Sequence, residues 1–183
     1  MKIHQLSVSH DEIQDRLLVR LNTQAAQEFR FWLTRRMVLR FLPAMDQTLT
    51  RLEAAQPGVA ASDHNAQQIL ADIKRDAFLK NADFETPYAA HAEQLPLGPE
   101  PLLVTDVQLT LQPHGNLEVI FRQKKGEDIQ SCHLNLQTQL VHGLIHLLKE
   151  TMAKAEWDMV AYKPTSNSEH GPTSESNSTA YKH

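Results

Sequence analysis

Residues 28–45, EFRFWLTRRMVLRFLPAM, contain the change in apolar spacing that most constrains the fold. Up to Leu33 every second residue is apolar, with Phe31 in the centre, and this alternation predicts a half-buried β-strand. From Met37 onward apolar residues recur every three or four positions, which predicts a helix with one buried stripe. Thr34 lies at the junction and is a candidate N-cap. One segment is therefore predicted to supply a strand, a cap and a core helix.

The rest of the chain predicts three strands followed by a helix, twice over. Strands are expected at 2–8, 16–21, 28–33, 103–111, around 117–121 and at 129–134, and helices at 35–54, 63–80 and 137–156. These elements predict an α+β fold. Antiparallel strands from both halves form one sheet or two packed sheets, with an extra central helix and with the helices covering the apolar side.

Several details of these elements are predicted as well. Pro43 is expected to kink or break the first helix near 39–42, or to divide it into two shorter helices. The second half has Leu111 facing inward at the end of its first strand, and Asn135 preceding its helix. The apolar stripe of the central helix is Ala66, Ile69, Leu70, Ile73 and Ala77, and that of the last helix is Leu140, Leu144, Leu147, Leu148 and Met152.

The domain organisation predicted is one domain over 1–160 and a disordered tail over 161–183. The tail is rich in Ser, Thr, Asn and Pro. Similar strand and cap positions suggest a βββα pseudo-repeat, 1–54 and 102–156, joined by the central helix and a proline-rich crossover over 55–101, although the two helix registers do not align. Three residues are the predicted anchors of that crossover on the core: Phe84, Tyr88 and Leu95.

Composition excludes several classes of protein. The only cysteine is Cys132, so an internal disulfide is impossible and a reducing cytoplasm is the expected location. No apolar run reaches the length of a signal peptide or a membrane span. No phosphate loop, nucleophile elbow or paired carboxylate motif is present, so neither an enzyme nor a cofactor is expected.

The formal net charge of −4 argues against a dedicated nucleic-acid protein. Charge is nevertheless uneven. Residues 16–51 contain seven arginines and two carboxylates, whereas 52–101 contain eight carboxylates and three basic residues. The two regions are expected to lie against each other, within one chain or across a dimer; an external anionic partner is the alternative.

The main candidate binding residues are four arginines and a tryptophan: Arg30, Trp32, Arg35, Arg36 and Arg40. The last three arginines fall in the first turns of the predicted helix, where free amides favour an anion. An internal partner among Asp72, Asp76 and Glu85, or a subunit contact, is the simpler interpretation. Trp32 lies opposite the inward face of its strand, so the crossover or a second subunit is expected to cover it.

Histidines offer a weaker possibility. His142 and His146 are four residues apart on a predicted helix, and Cys132 and His133 precede that helix, so a zinc site is conceivable. The spacing lacks the glutamate of a metalloprotease motif and there is no CxxC pair. Because the two helical histidines lie off the apolar stripe, a solvated face is predicted for them, and Cys132 is expected to be a small buried side chain.

The segments DRLL at 15–18, EFRFWLTRR at 28–36, ADFETPY at 82–88 and LPLG at 95–98 resemble a family of uncharacterised bacterial proteins. The resemblance covers most of 1–155 and none of the tail. It implies a bacterial, cytoplasmic protein. It assigns no catalytic or binding residue, because such a family has no assigned activity.

The sequence thus favours a non-enzymatic interaction module, a homodimer or a partner of another protein, that contacts through the Trp32 face, the arginines and the crossover. Nucleic-acid or phosphate binding through the arginines is the alternative, and a zinc-dependent enzyme is a distant third.

Overall fold

The computed structural model describes residues 2–54, 64–84, 86–89, 93–112 and 115–157. Its elements are β1 Ile3–Asp11, β2 Arg16–Thr23, β3 Glu28–Thr34, α1 Arg35–Ala54, α2 His64–Asn81, β4 Leu102–Leu103, β5 Asp106–Leu111, β6 Asn116–Lys125, β7 Asp128–Gln137 and α3 Thr138–Lys154. The predicted α+β class is confirmed. The tail over 161–183 lies outside the described residues, so the prediction made for it stays a prediction.

The strands form two sheets. The first has the order β1-β2-β3-β4, antiparallel except for the short β4, which runs parallel to β3. The second is an antiparallel β5-β6-β7 meander. The strand predicted over 103–111 is in fact divided between the sheets, because the chain leaves the first sheet after Leu103 and joins the second at Asp106.

The core lies between the sheets and under α1 and α3. Phe31 of β3 and Phe121 of β6 are fully buried, and their ring centroids are 4.8 Å apart, so they join the two sheets directly. Phe41 of α1 packs on the other side of Phe121 at 5.6 Å. The alternation of β3 and the stripe of α1 are therefore confirmed as the two walls of one core.

The junction at Thr34 is also confirmed. β3 ends at this residue, α1 begins at Arg35, and the Thr34 hydroxyl accepts from the Met37 N–H at 3.3 Å. α1 then continues through Pro43 without a break. Since Pro43 faces solvent, water can hydrate the carbonyl that its ring leaves without a donor.

Three of the detailed predictions, two on burial and one on where the last helix begins, are wrong. Ile69 and Ile73 of α2 are 57% and 59% exposed and Ala77 is exposed too, because the opposite side of α2, that of Phe78, faces α3. The side chains of Ala66 and Leu70 lie outside the described residues. Leu111 is 41% exposed, since it ends the edge strand β5. Asn135 does not directly precede the helix: it lies within β7, which continues to Gln137, and Gln137 precedes α3 without a side-chain cap bond.

Candidate interaction surface

The solvent side of the first sheet carries the candidate site. Leu17, Val19 and Leu21 of β2 face the core, so Arg16, Leu18 and Arg20 face the other way. On β3 the buried Phe31 alternates with Arg30 and Trp32 in the same manner. The face predicted for Trp32 is confirmed.

An apolar row crosses this outer side. Leu18 lies opposite Trp32 in the β2–β3 ladder, and Trp32 lies opposite Leu103 in the β3–β4 ladder. All three side chains are half-buried. The Arg16 guanidinium stacks on the indole, with its carbon 3.9 Å from the ring centroid. The row is thus continuous over three strands, and an arginine holds the tryptophan ring in place.

A second arginine stacks on an aromatic ring beside the row. The Arg20 guanidinium lies 4.5 Å from the ring centroid of Tyr88, which the crossover contributes. The Tyr88 hydroxyl donates to Oε1 of the buried Glu28 at 2.9 Å. Burial, and then this hydrogen bond, raise the pKa of Tyr88 far above its ordinary value of 10.0.

The crossover borders this outer side, partly along the edge of β3, and is held mainly through its main-chain carbonyls. Asn22 of β2 donates to the Ala89 carbonyl at 3.0 Å, and the Glu28 N–H donates to the Gln94 carbonyl at 3.0 Å. Arg30 donates to the Gly98 and Pro99 carbonyls. Part of the predicted docking surface is therefore occupied by the chain itself.

The predicted anchors of the crossover differ in their burial. Tyr88 is half-buried and bonded as described, so it is an anchor. Phe84 is exposed on one side but contacts the rings of Phe78 and His146, at 6.4 and 4.7 Å between centroids. Leu95 is exposed and is no anchor; its neighbour Leu97 packs on the core instead.

Tyr88→Phe should lower the free energy of unfolding by about 1–3 kcal/mol, because it leaves a buried Glu28 oxygen without its donor. The fold raises the pKa of the phenol, so its contribution is complete below 10.0 and is lost as pH rises further. We expect urea unfolding at about pH 8 and about pH 11 to show this. The free energies of unfolding of wild type and Tyr88→Phe should differ more at the lower pH. Tyr181→Phe, the same chemical change, is the control. Equal stability of wild type and Tyr88→Phe at the lower pH would contradict the assignment.

Three polar atoms on this surface lack a hydrogen-bond partner within the described part of the chain, although they are buried: Ser7 Oγ, Arg16 Nε and Arg20 Nε. Ser7 lies opposite Arg20 in the β1–β2 ladder, and both side chains point to the outer side. A buried donor without an acceptor costs free energy. Within the described residues these three groups are therefore buried and unsatisfied.

The remaining predicted arginines do not join Trp32. Arg35 lies over the ring of Trp157, 5.9 Å from its centroid. Arg36 and Arg40 are exposed on α1. Two of the carboxylates expected to pair with these arginines, Asp72 and Asp76, instead lie 3.0 and 3.6 Å from Arg75 of their own helix, and the third, Glu85, lies outside the described residues.

Trp157 belongs to a contact that sequence reasoning missed. Its indole N–H donates to Asp15 Oδ1 at 2.7 Å, and His10 Nε2 lies 3.2 Å from the same oxygen. The Trp157 bond chiefly lowers the pKa of Asp15, with His10 and Arg35 adding to it. Asp15 has φ 46, which a turn residue of this type tolerates. No local pattern joins residues so far apart in sequence.

The two histidines predicted to share a solvated face, His142 and His146, lie in different environments. His142 is 4% exposed, and its Nε2 lies 2.8 Å from Oε1 of Glu53, which is 2% exposed. The prediction of a solvated His142 is wrong, because α1 and Phe78 of α2 cover that side of α3. His146 is half-buried against Phe84.

The other zinc candidates lie on β7 and face opposite ways. Cys132 is buried, as predicted, and burial raises the pKa of its thiol to about 11. The exposed His133 lies 3.2 Å from Glu118. In the ranges that the structure describes, no three His, Cys, Asp or Glu side chains are placed to hold a metal ion together.

Comparisons of the chain with protein-family models, with curated proteins and with solved structures found no match. None of the helices described here combines the length and the apolar character needed to cross a bilayer.

Proposed function

We propose that this protein is a non-enzymatic, cytoplasmic interaction module that binds a second copy of itself through the outer side of its first sheet. The observation that carries the proposal is the row of Leu18, Trp32 and Leu103 with Arg16 stacked upon it. The core does not use this row, and the crossover bonds to the sheet beside it.

The residue types in and beside the row are those that occur at the centres of protein–protein interfaces. Tryptophan, tyrosine and arginine are the residue types that most often dominate binding energy, especially where they are partly desolvated before binding. Stacking on Trp32 restricts the Arg16 side chain, so less rotamer freedom is lost when a partner binds.

Charge favours a second copy as the partner. Arg16 lies at the start of β2, whereas the exposed Glu93 lies at the opposite end, where its N–H donates to the Ala26 carbonyl in the β2–β3 loop. The two ends are about 25 Å apart along the strand. A two-fold axis that lies between the two facing sheets, perpendicular to β2, would bring Arg16 of each copy towards Glu93 of the other, as an isologous interface requires.

Size-exclusion chromatography with light scattering tests this proposal. The wild-type protein should show twice its chain mass of 20.8 kDa, and Trp32→Glu should show that mass once, because a buried carboxylate would then oppose association. Ile129→Glu is the matched control, since Ile129 is also an apolar strand residue but lies 61% exposed on the second sheet; it should remain dimeric. A monomeric wild type, or a dimeric Trp32→Glu, would overturn the proposal.

A charge exchange tests the geometry. Arg16→Glu should weaken the dimer, and adding Glu93→Arg should restore it if the two residues meet across the two-fold axis.

Anion binding is the rival hypothesis, and the structure supports it less. Arg30 is engaged by crossover carbonyls and Arg35 lies over Trp157. Among the residues described, Arg36 has no carboxylate within ion-pair distance, so a phosphate site would depend mainly on this exposed side chain.

A further inference from the structure

A groove of about 570 Å³ lies along β1, on the side of the molecule where α3 packs beside this strand. Every residue from His4 to Val8 lines its floor. Leu140 and Leu147 of α3 line one wall, and Pro87 of the crossover lines the other. This volume is within the range of small-molecule sites, roughly 300–1,000 Å³.

The groove continues the plane of the first sheet. Side chains alternate along β1, so Leu6 packs on the core beside α3, whereas Gln5 points to the outer side, where its Nε2 donates to the Pro87 carbonyl. α3 and the crossover therefore flank the edge of β1 from opposite sides of the sheet. A molecule that lies against this edge is held between them, so the groove suits a flat molecule.

The edge of β1 presents a main-chain donor and a main-chain acceptor to the groove. β1 is the outermost strand of its sheet, and its Gln5 N–H points towards β2, where Asn22 Oδ1 accepts at 2.8 Å. Because main-chain groups alternate along a strand, the Leu6 N–H and C=O point away from β2. Within the described part of the chain, neither Leu6 group has a hydrogen-bond partner.

α3 limits how much of this edge is open. The Val8 carbonyl also points away from β2, but it accepts from the Thr151 hydroxyl of α3 at 3.4 Å. The open part of the edge is therefore a short stretch around Leu6. That length suits a small molecule and not a further strand.

The remaining walls indicate the character of the ligand. Phe78 of α2 and Phe84 line the groove, and their ring centroids are 6.4 Å apart. The described residues that line the groove include no lysine or arginine. Aromatic and apolar walls without a cation favour an uncharged aromatic ligand over a phosphate or a carboxylate.

Gly143 of α3 is an independent observation at the same wall. Glycine is the least favourable residue after proline inside a helix, yet Gly143 lies within α3 and lines the groove. A Cβ at this position would meet the Phe78 ring at 3.7 Å, an ordinary contact. Packing among the described residues therefore does not require a glycine here, whereas its missing side chain widens the groove.

We propose that the groove binds an uncharged, planar heteroaromatic molecule that carries a hydrogen-bond acceptor and an N–H donor side by side. The acceptor accepts from the Leu6 N–H and the donor donates to the Leu6 carbonyl, so the ring extends the plane of the sheet. The Phe84 ring contacts the far edge of the ligand. The proposal does not depend on self-association, because the Trp32 row lies on β2, β3 and β4.

Titration of the full chain with adenine, followed by amide NMR, tests the proposal. Adenine is flat and uncharged at neutral pH, and a ring nitrogen lies beside its amino group. It should shift the Leu6 amide resonance saturably, with a Kd in the millimolar range or tighter. Purine lacks the amino donor and should bind about fivefold more weakly. No saturable shift at Leu6, or equal binding of adenine and purine, would overturn the proposal.

Two variants test the walls. Phe84→Ala should weaken adenine binding about threefold, because an aromatic contact is lost. Leu95→Ala is the matched control, since Leu95 is 38% exposed against 39% for Phe84 and belongs to the same crossover but does not line the groove; its binding should be unchanged.

Gly143→Ala should raise the urea midpoint of unfolding, because alanine is the better helix former, and should weaken adenine binding by narrowing the groove. Binding as tight as that of the wild type in either Phe84→Ala or Gly143→Ala would overturn the placement of the ligand.

Discussion

His142→Leu should lower the free energy of unfolding by about 3–5 kcal/mol, because it removes the partner of a buried carboxyl group. Glu53 and His142 are both almost wholly buried, and their contact at 2.8 Å joins α1 to α3. The contact joins Glu53 Oε1 to His142 Nε2, and within the described residues Glu53 Oε2 and His142 Nδ1 have no hydrogen-bond partner, so no group replaces the lost bond. Urea unfolding at fixed protein concentration measures the change.

Two further variants separate the polar contact from simple packing. Glu53→Met/His142→Leu replaces the pair with apolar side chains and should recover most of the loss, since no buried carboxyl group then remains unpartnered. His146→Leu changes the half-buried histidine one turn later and should cost far less. A loss in the double variant equal to that in His142→Leu would show that packing, and not the pair, carries the effect.

Phe121→Ala should lower the free energy of unfolding by a similar amount, about 3–5 kcal/mol. The ring is fully buried between Phe31 and Phe41, with centroids at 4.8 and 5.6 Å, so its removal leaves a cavity where both sheets and α1 meet. Those ring contacts add to the effect of lost apolar burial. Thermal and urea unfolding should both report the loss.

A large-to-small change at the edge of the same sheet is the control for Phe121→Ala. Leu111→Ala on β5 should lower the free energy of unfolding by less than about 1 kcal/mol. Leu111 is 41% exposed, so its truncation leaves no closed cavity. Phe121→Leu should fall between the two. Equal losses for Leu111→Ala and Phe121→Ala would mean that the second sheet has no single packing centre at Phe121.

The Phe121→Ala change also bears on the proposed interface. Phe31 and Trp32 are neighbours in β3, one facing Phe121 and the other facing Leu18 across the outer side. A looser core would therefore also disturb the outer row. For this reason the test of self-association uses a change at Trp32 itself and a control on the other sheet.

The local spacing of apolar residues was sufficient to predict most of the strands and helices. β3, Thr34 and α1 were predicted nearly residue by residue, because the period changes from two to 3.6 within a few positions and a hydroxyl residue marks the change. The strands around Phe121 and Cys132 were found for the same reason. Each of these elements has one buried face, and one buried face produces a clear period.

Errors came where burial depends on a neighbour distant in sequence. The stripe of Ile69 and Ile73 has good helical spacing, yet α2 is placed so that this side meets solvent. His142 lies off the leucine stripe of α3, yet α1 and α2 cover it. The spacing of apolar residues shows that a helix has an apolar face. It does not show how many other elements pack around that helix.

The sequence by itself determined most of the strands and helices, the inward side of β2 and β3, and the presence of arginine and tryptophan on the outer side of β3. Only the tertiary structure decided which groups meet: Arg16 with Trp32, Tyr88 with Glu28, Glu53 with His142, and the groove along β1. The physical reason is that periodicity records burial summed over a face, whereas a contact between distant residues depends on how whole elements pack together.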